Sequence, residues 1–240
     1  MVEIQNKTKL LNVSGRRQWL FIFLSGLFVT NAITAELISN KLIEIPIRIG
    51  SFGPFTTIVG ILPWPVVFIL TDLLNEFYGE KAVRRLSWIT AVLIAYCFVI
   101  VSIALSLPAK NMVGSGLASD DEFSKVFGQT QSVIIGSIIA FVLSQLLDAT
   151  LFHWLKRKTG NKFIWLRSTG STVISQFIDT IVVLYIGFVL PGSLSMREFF
   201  SIAPTNYVLK LTIAILLTPL IYLGHFLVRN YLMEHSHVSE

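Results

Sequence analysis

Val142-Leu-Ser-Gln-Leu-Leu-Asp148 and Val173-Ile-Ser-Gln-Phe-Ile-Asp179 are nearly the same heptad, and each lies inside a long apolar run. Runs of that length read as helices crossing a bilayer, whose apolar core takes about 20 residues. An Asp near the centre of such a helix costs roughly 2.5–3.5 kcal/mol even on the lenient insertion scale. Two such placements, each with Gln three residues earlier, point to a polar binding surface built inside a membrane. Gln145 and Asp148 share one helical face, as do Gln176 and Asp179. Ser144 and Ser175 adjoin those faces, so amide, hydroxyl and carboxylate are offered together.

Working outward, six spans emerge: 18–39, 55–74, 86–107, 132–155, 168–190 and 207–228. They predict an all-α integral membrane bundle of six transmembrane helices, residues 18–228, between a basic tail, 1–17, and a short tail, 229–240. Of the 19 Lys and Arg, 13 fall before the first span, after the last, or in the second and fourth connections. That bias predicts both termini in the cytoplasm. The chain lacks a small-residue cleavage site after its first apolar run, so the first span reads as retained. The opposite loops are poor in cations and include the acidic Asp120-Asp-Glu122. Spans four and five then run antiparallel, and Asp148 and Asp179 are expected at similar depth in the cytoplasmic half.

Composition agrees. Of 240 residues, 53% are hydrophobic and 14% charged, with mean hydropathy +0.70. Soluble domains carry about 25% charged residues. The net charge of +5 follows from positive charge kept on one side of a membrane and needs no nucleic-acid partner. A single cysteine, Cys97, excludes a disulfide framework and a cysteine metal cluster. His153, near the end of span four, reads as interfacial; His225, His235 and His237 form no convincing metal set.

The second span ends in Pro65-Val-Val-Phe-Ile-Leu-Thr-Asp72-Leu-Leu-Asn-Glu76-Phe-Tyr-Gly79. Asp72, Asn75 and Glu76 line one helical face, and Gly79 is a helix stop. Pro63 and Pro65 are expected to loosen the helix, with Trp64 between them as packing or as a stacking platform. Asp72, Asp148 and Asp179 outnumber the one intramembrane cation, Lys210, and Glu36 adds an acid at the end of span one. With the last span starting at Tyr207 on the outer side, Lys210 is not expected to reach the inner acids. The excess of acids leaves room for proton coupling, or for neutralising a cationic substrate group.

The block at 65–79, the Ser-Gln-x-x-Asp motifs at 144–148 and 175–179, Tyr207-x-x-Lys210 with Pro219 beyond, and Asn40-Lys41 together resemble the queuosine-precursor transporter family. The resemblance runs from about residue 39 to 222. It implies a prokaryotic inner-membrane importer, not an enzyme, without cofactor or metal. The cargo it implies is a deazapurine: 7-cyano- or 7-aminomethyl-7-deazaguanine, or queuine, destined for tRNA modification. A carboxylate can accept a guanine-like ring N–H and exocyclic amine as a bidentate pair. Asp148 and Asp179 suit this, with Gln145 and Gln176 beside them. Phe68 and Tyr207 (with Phe177) offer aromatic faces. Asp72 and Glu76 form the cytoplasmic side of the pocket or a gate, Lys210 a contact or counter-ion, and Asn40 a further contact.

Two other readings compete. A substrate-binding subunit of an energy-coupling-factor importer also has six spans, but docking alanines at four-residue spacing are missing: Ala32 and Ala35 are three apart. Gly26, Thr30 and Thr34 form a small-residue ridge able to pack any helix, which leaves partner dependence or a homo-oligomer open. An intramembrane aspartyl protease would also use paired acids, but its Gly-x-Gly-Asp context is absent. So are a Gly-x-Ser-x-Gly elbow, a metal triad and a phosphate-binding loop.

Overall fold

The computed structural model describes residues 2–48, 50, 53–110, 117–128, 131–160 and 163–233. Gly114, Lys162, His235 and His237 lie outside the described residues. Eight α-helices follow in order: α1 (Val2–Leu37), α2 (Trp64–Tyr78), α3 (Glu80–Ser106), α4 (Asp120–Phe127), α5 (Gln131–Thr159), α6 (Ile164–Leu184), α7 (Met196–Leu216) and α8 (Thr218–Met233). Two short strands, β1 (Leu42–Ile45) and β2 (Phe55–Ile58), pair antiparallel between α1 and α2. A 3₁₀ turn, Val59–Ile61, leads into α2, and a π-helical turn, Tyr185–Val189, extends α6. Six helical segments among the described residues are long and apolar enough to cross a membrane. The protein is thus a six-span membrane bundle.

Local chemistry sets the element ends. Pro63 and Pro65 start α2 rather than loosening it, because a proline in the first turn gives up an N–H that has no helical partner anyway. The second span is therefore shorter than expected: Phe55–Ile58, read as its beginning, is β2. Gly79, at φ 84°, stops α2 and lets α3 begin at Glu80. The acidic loop holds α4, whose start is a capping box between Ser119 and Glu122. An equivalent box, Ser195 with Glu198, starts α7 eleven residues before the expected span. The last apolar span is Met196–Leu216, not 207–228. Its beginning reads as loop because Arg197, Glu198, Pro204 and Asn206 interrupt the apolar run. Helix also continues through both expected tails, to Val2 and to Met233.

α5 and α6 form the central antiparallel pair. They approach most closely at Gly136, where an added Cβ would stand 2.8 Å from the Gly187 backbone nitrogen. Small residues there permit backbone contact that a membrane interior rewards. α1, α2 and α3 bury Phe28, Val67, Leu74 and Ile94 against α5. On α1, Ala32 and Ala35 face this core, whereas Gly26, Thr30 and Thr34 are exposed. One end of the bundle carries Arg17, Arg84, Lys156 and Arg167, and is called here the basic end. The other carries the β1–β2 hairpin.

Candidate functional site

The twin motifs meet in register. Ser175 Oγ donates to Asp148 Oδ1 at 3.2 Å, and Ser144 Oγ reaches Asp179 Oδ1 at 3.4 Å. Each acid thus faces the serine of the opposite motif, not the other acid, so they form no proton-sharing dyad. Ser and Asp are four residues apart, so the two acids are offset by about one turn, roughly 6 Å. They are close in depth but not level. Both are buried, as are Gln145 and Gln176. Gln145 Oε1 accepts from Thr71 of α2 at 3.4 Å.

Asp179 is met by Lys210 of α7, with Nζ 2.6 Å from Oδ2. This corrects the expectation that Lys210 stays out of reach. With α7 beginning at Met196, Lys210 stands well inside the span and its stem reaches α6. Lys210 also lines a cavity of about 10 Å³ with Ile61, Trp64, Pro65, Phe68 and Ile213. That is space for one water, far less than a bicyclic base needs, so admitting one requires α2 and α7 to part. Trp64 and Phe68 are stacked at 6.0 Å on its wall. Tyr207 donates its hydroxyl to Val173 O at 3.0 Å and meets Phe177 edge-on at 5.4 Å.

Asp148 has different neighbours. Its Oδ1 accepts from Ser171 at 2.9 Å and lies 3.4 Å from Thr172 Oγ1, in addition to Ser175. Asp72 of α2 accepts from Ser168, one helical turn before Thr172. At the basic end Glu76 pairs with Arg167 at 2.8 Å and Lys156 at 3.0 Å, and His225 Nε2 of α8 lies 3.7 Å away. Four helices are tied there. Arg167 is only 1% exposed and covers the Phe152 ring. Reasoning from the sequence missed it by counting it as a loop charge. It also missed Ser168, Ser171 and Thr172, although the polar run Ser-Thr-Gly-Ser-Thr inside an apolar helix was a usable signal.

Other candidates lie apart from this core. Asn40 is exposed at the hairpin end, where its amide donates to Lys125 O and Val126 O and ties the chain to α4. Glu36 is buried and accepts from Ser137, near the same end. His153 is half-buried beside Phe152. Among the described residues no group of three His, Cys, Asp or Glu is placed to hold a metal ion.

Comparison with known proteins agrees with this architecture. Residues 58–224, more than half of the chain, match the model of the family described as "Putative vitamin uptake transporter". A "Probable queuosine precursor transporter" of Bacillus subtilis (strain 168) is 28% identical over 212 residues, covering 85% of this chain and 86% of the relative. The "Queuosine precursor transporter" of Escherichia coli (strain K12) is 28% identical over 210 residues, with the same coverage. No solved structure matches. A six-span bundle with buried acids, matched over most of its length, has one consistent placement: the chain belongs to this family of vitamin uptake transporters.

Proposed function

We propose that the chain imports a queuosine precursor, a 7-deazaguanine, across the inner membrane, with both termini in the cytoplasm. The observation that carries the reading is the Lys210–Asp179 pair beside an aromatic wall, in a chain whose relatives bear that transporter name. A guanine edge presents a carbonyl, a ring N–H and an amine in a row. A cation next to a carboxylate matches that order: Lys210 donates to the carbonyl while Asp179 accepts from the two nitrogens. Gln176 flanks the acid, and Trp64 and Phe68 supply the π-face on which a flat heterocycle stacks. Glu76 with Arg167 and Lys156 closes the basic end, by this reading the cytoplasmic gate. No catalytic role is assigned to any residue.

Uptake of labelled 7-cyano- and 7-aminomethyl-7-deazaguanine by cells lacking their own importer tests this. Expression of the chain is expected to restore uptake, with competition by the unlabelled precursor and not by an adenine. Unrestored uptake despite membrane expression, or equal competition by adenine, would overturn it. Uptake by the purified chain in liposomes without any ATPase separates a self-sufficient transporter from a subunit that needs partners.

A further inference from the structure

The charges inside the bundle are met unevenly. Asp179 has Lys210, and Glu76 has Lys156 and Arg167. Arg167 also stands within electrostatic reach of Asp72. Asp148 has no Lys, Arg or His at ion-pair distance among the described residues. Its Oδ1 is ringed by three hydroxyls, while its Oδ2 is buried and makes no hydrogen bond. Asp72 Oδ1 is buried and unbonded too. So are both amide atoms of Asn75, a fully buried residue one turn along the same face of α2. Asp72 and Asp148 lie within electrostatic reach of each other. An uncompensated carboxylate in a low-dielectric interior is strongly unfavourable. The missing charge must come from outside the chain.

We propose that Asp148, with Asp72 and the hydroxyls of Ser171, Thr172 and Ser175, binds a monovalent metal cation of the Na⁺ class. Every candidate ligand atom is a hard oxygen, which suits such an ion and not a soft transition metal. The absence of a three-acid or histidine set among the described residues argues against a divalent ion. The serines are built to alternate. Ser171 Oγ is 3.1 Å from Ser168 O, and Ser175 Oγ is 3.2 Å from Thr172 O. Each hydroxyl has one proton and two acceptors. Turned to the backbone, it leaves its lone pairs free for a cation. Turned to Asp148, it holds the carboxylate when the cation has left. A proton on Oδ2 would instead need an acceptor, and none lies in reach.

A cation bound here, one turn from the Lys210–Asp179 pair, is the coupling ion of transport. That last clause rests on the proposed import function, whereas the binding site does not. The test therefore has two parts. Thermal unfolding of the purified full-length chain in detergent is followed in NaCl and in choline chloride at equal ionic strength. Sodium is expected to raise the midpoint by about 3 °C or more. Asp148→Asn is expected to abolish the shift, Ser171→Ala to reduce it and Asp179→Asn to retain it. If Asp148→Asn does not fold, Ser171→Ala and Ser175→Ala decide the matter. No sodium-specific shift in the wild type, or a full shift in all site variants, overturns the site. A response to pH alone, lost in Asp148→Asn, assigns a proton and overturns the metal. In liposomes, precursor uptake driven by an inward Na⁺ gradient and absent with choline supports coupling. Uptake indifferent to the gradient overturns coupling. A sodium shift without any uptake leaves the site standing and overturns the cargo reading.

Discussion

Asp148 and Asp179 sit in the same seven-residue pattern, yet one has a lysine and the other has none. The α5–α6 pair treats them alike, since each accepts from a serine of the facing motif. The flanking helices separate them. α7 brings Lys210 to Asp179, whereas α2 brings a second acid, Asp72, towards Asp148. Sequence repetition therefore sets shared geometry, and the neighbouring helices set opposite charge. One half is self-neutralised and lies beside an aromatic wall. The other half is short of positive charge and rich in hydroxyls. The twin motifs are thus suited to two different ligands.

The contrast can be broken by substitution. Lys210→Met leaves Asp179 buried and unpaired and is expected to destabilise the protein by about 3–5 kcal/mol, with loss of uptake. Adding Asp179→Asn should recover most of the stability but not the uptake. Unchanged stability in the single variant would mean that the pair is not what neutralises Asp179. Gly136→Ala pushes α5 from the Gly187 backbone and is expected to cost about 1–3 kcal/mol. It should weaken precursor uptake and the sodium response together, because both halves depend on that approach.

Asp148→Asn sharpens the comparison. The amide oxygen still accepts from the hydroxyls while the uncompensated charge is gone. In choline buffer the unfolding midpoint should stay or rise, as uptake falls by about tenfold, a change of about 1.4 kcal/mol. A midpoint that drops as far as in Lys210→Met would remove the distinction between the two acids. The smallest effect separates the serines. Ser175→Ala should cost about 1 kcal/mol by chemical unfolding, and Ser144→Ala distinctly less, since its 3.4 Å contact is long for a hydroxyl bond.

Much of this was legible from residue spacing. The motif faces, the shared face of Asp72 and Glu76, the Gly79 stop and the six spans follow from helical periodicity and bilayer thickness. What escaped did so for physical reasons. Hydropathy could not place α7, because its first turns carry Arg197, Glu198, Pro204 and Asn206; the Ser195–Glu198 capping box was the better signal. That shift alone hid the Lys210–Asp179 pair. Arg167 was unreadable because its burial comes from α2 and α5, which lie far away in sequence. Asn40 shares a motif with the site residues but is held at the hairpin end by the backbone of α4.

The α7–α8 rod has one further implication. Pro219 has no N–H to offer Ile215, so the hydrogen-bond ladder is interrupted where α7 gives way to α8 around Leu217. Above that seam Lys210 grips α6, and below it His225 sits against Glu76. A rod latched at two levels and weakened between them can bend at one mouth while the other stays shut, which is the mechanical requirement for moving cargo without opening a continuous leak.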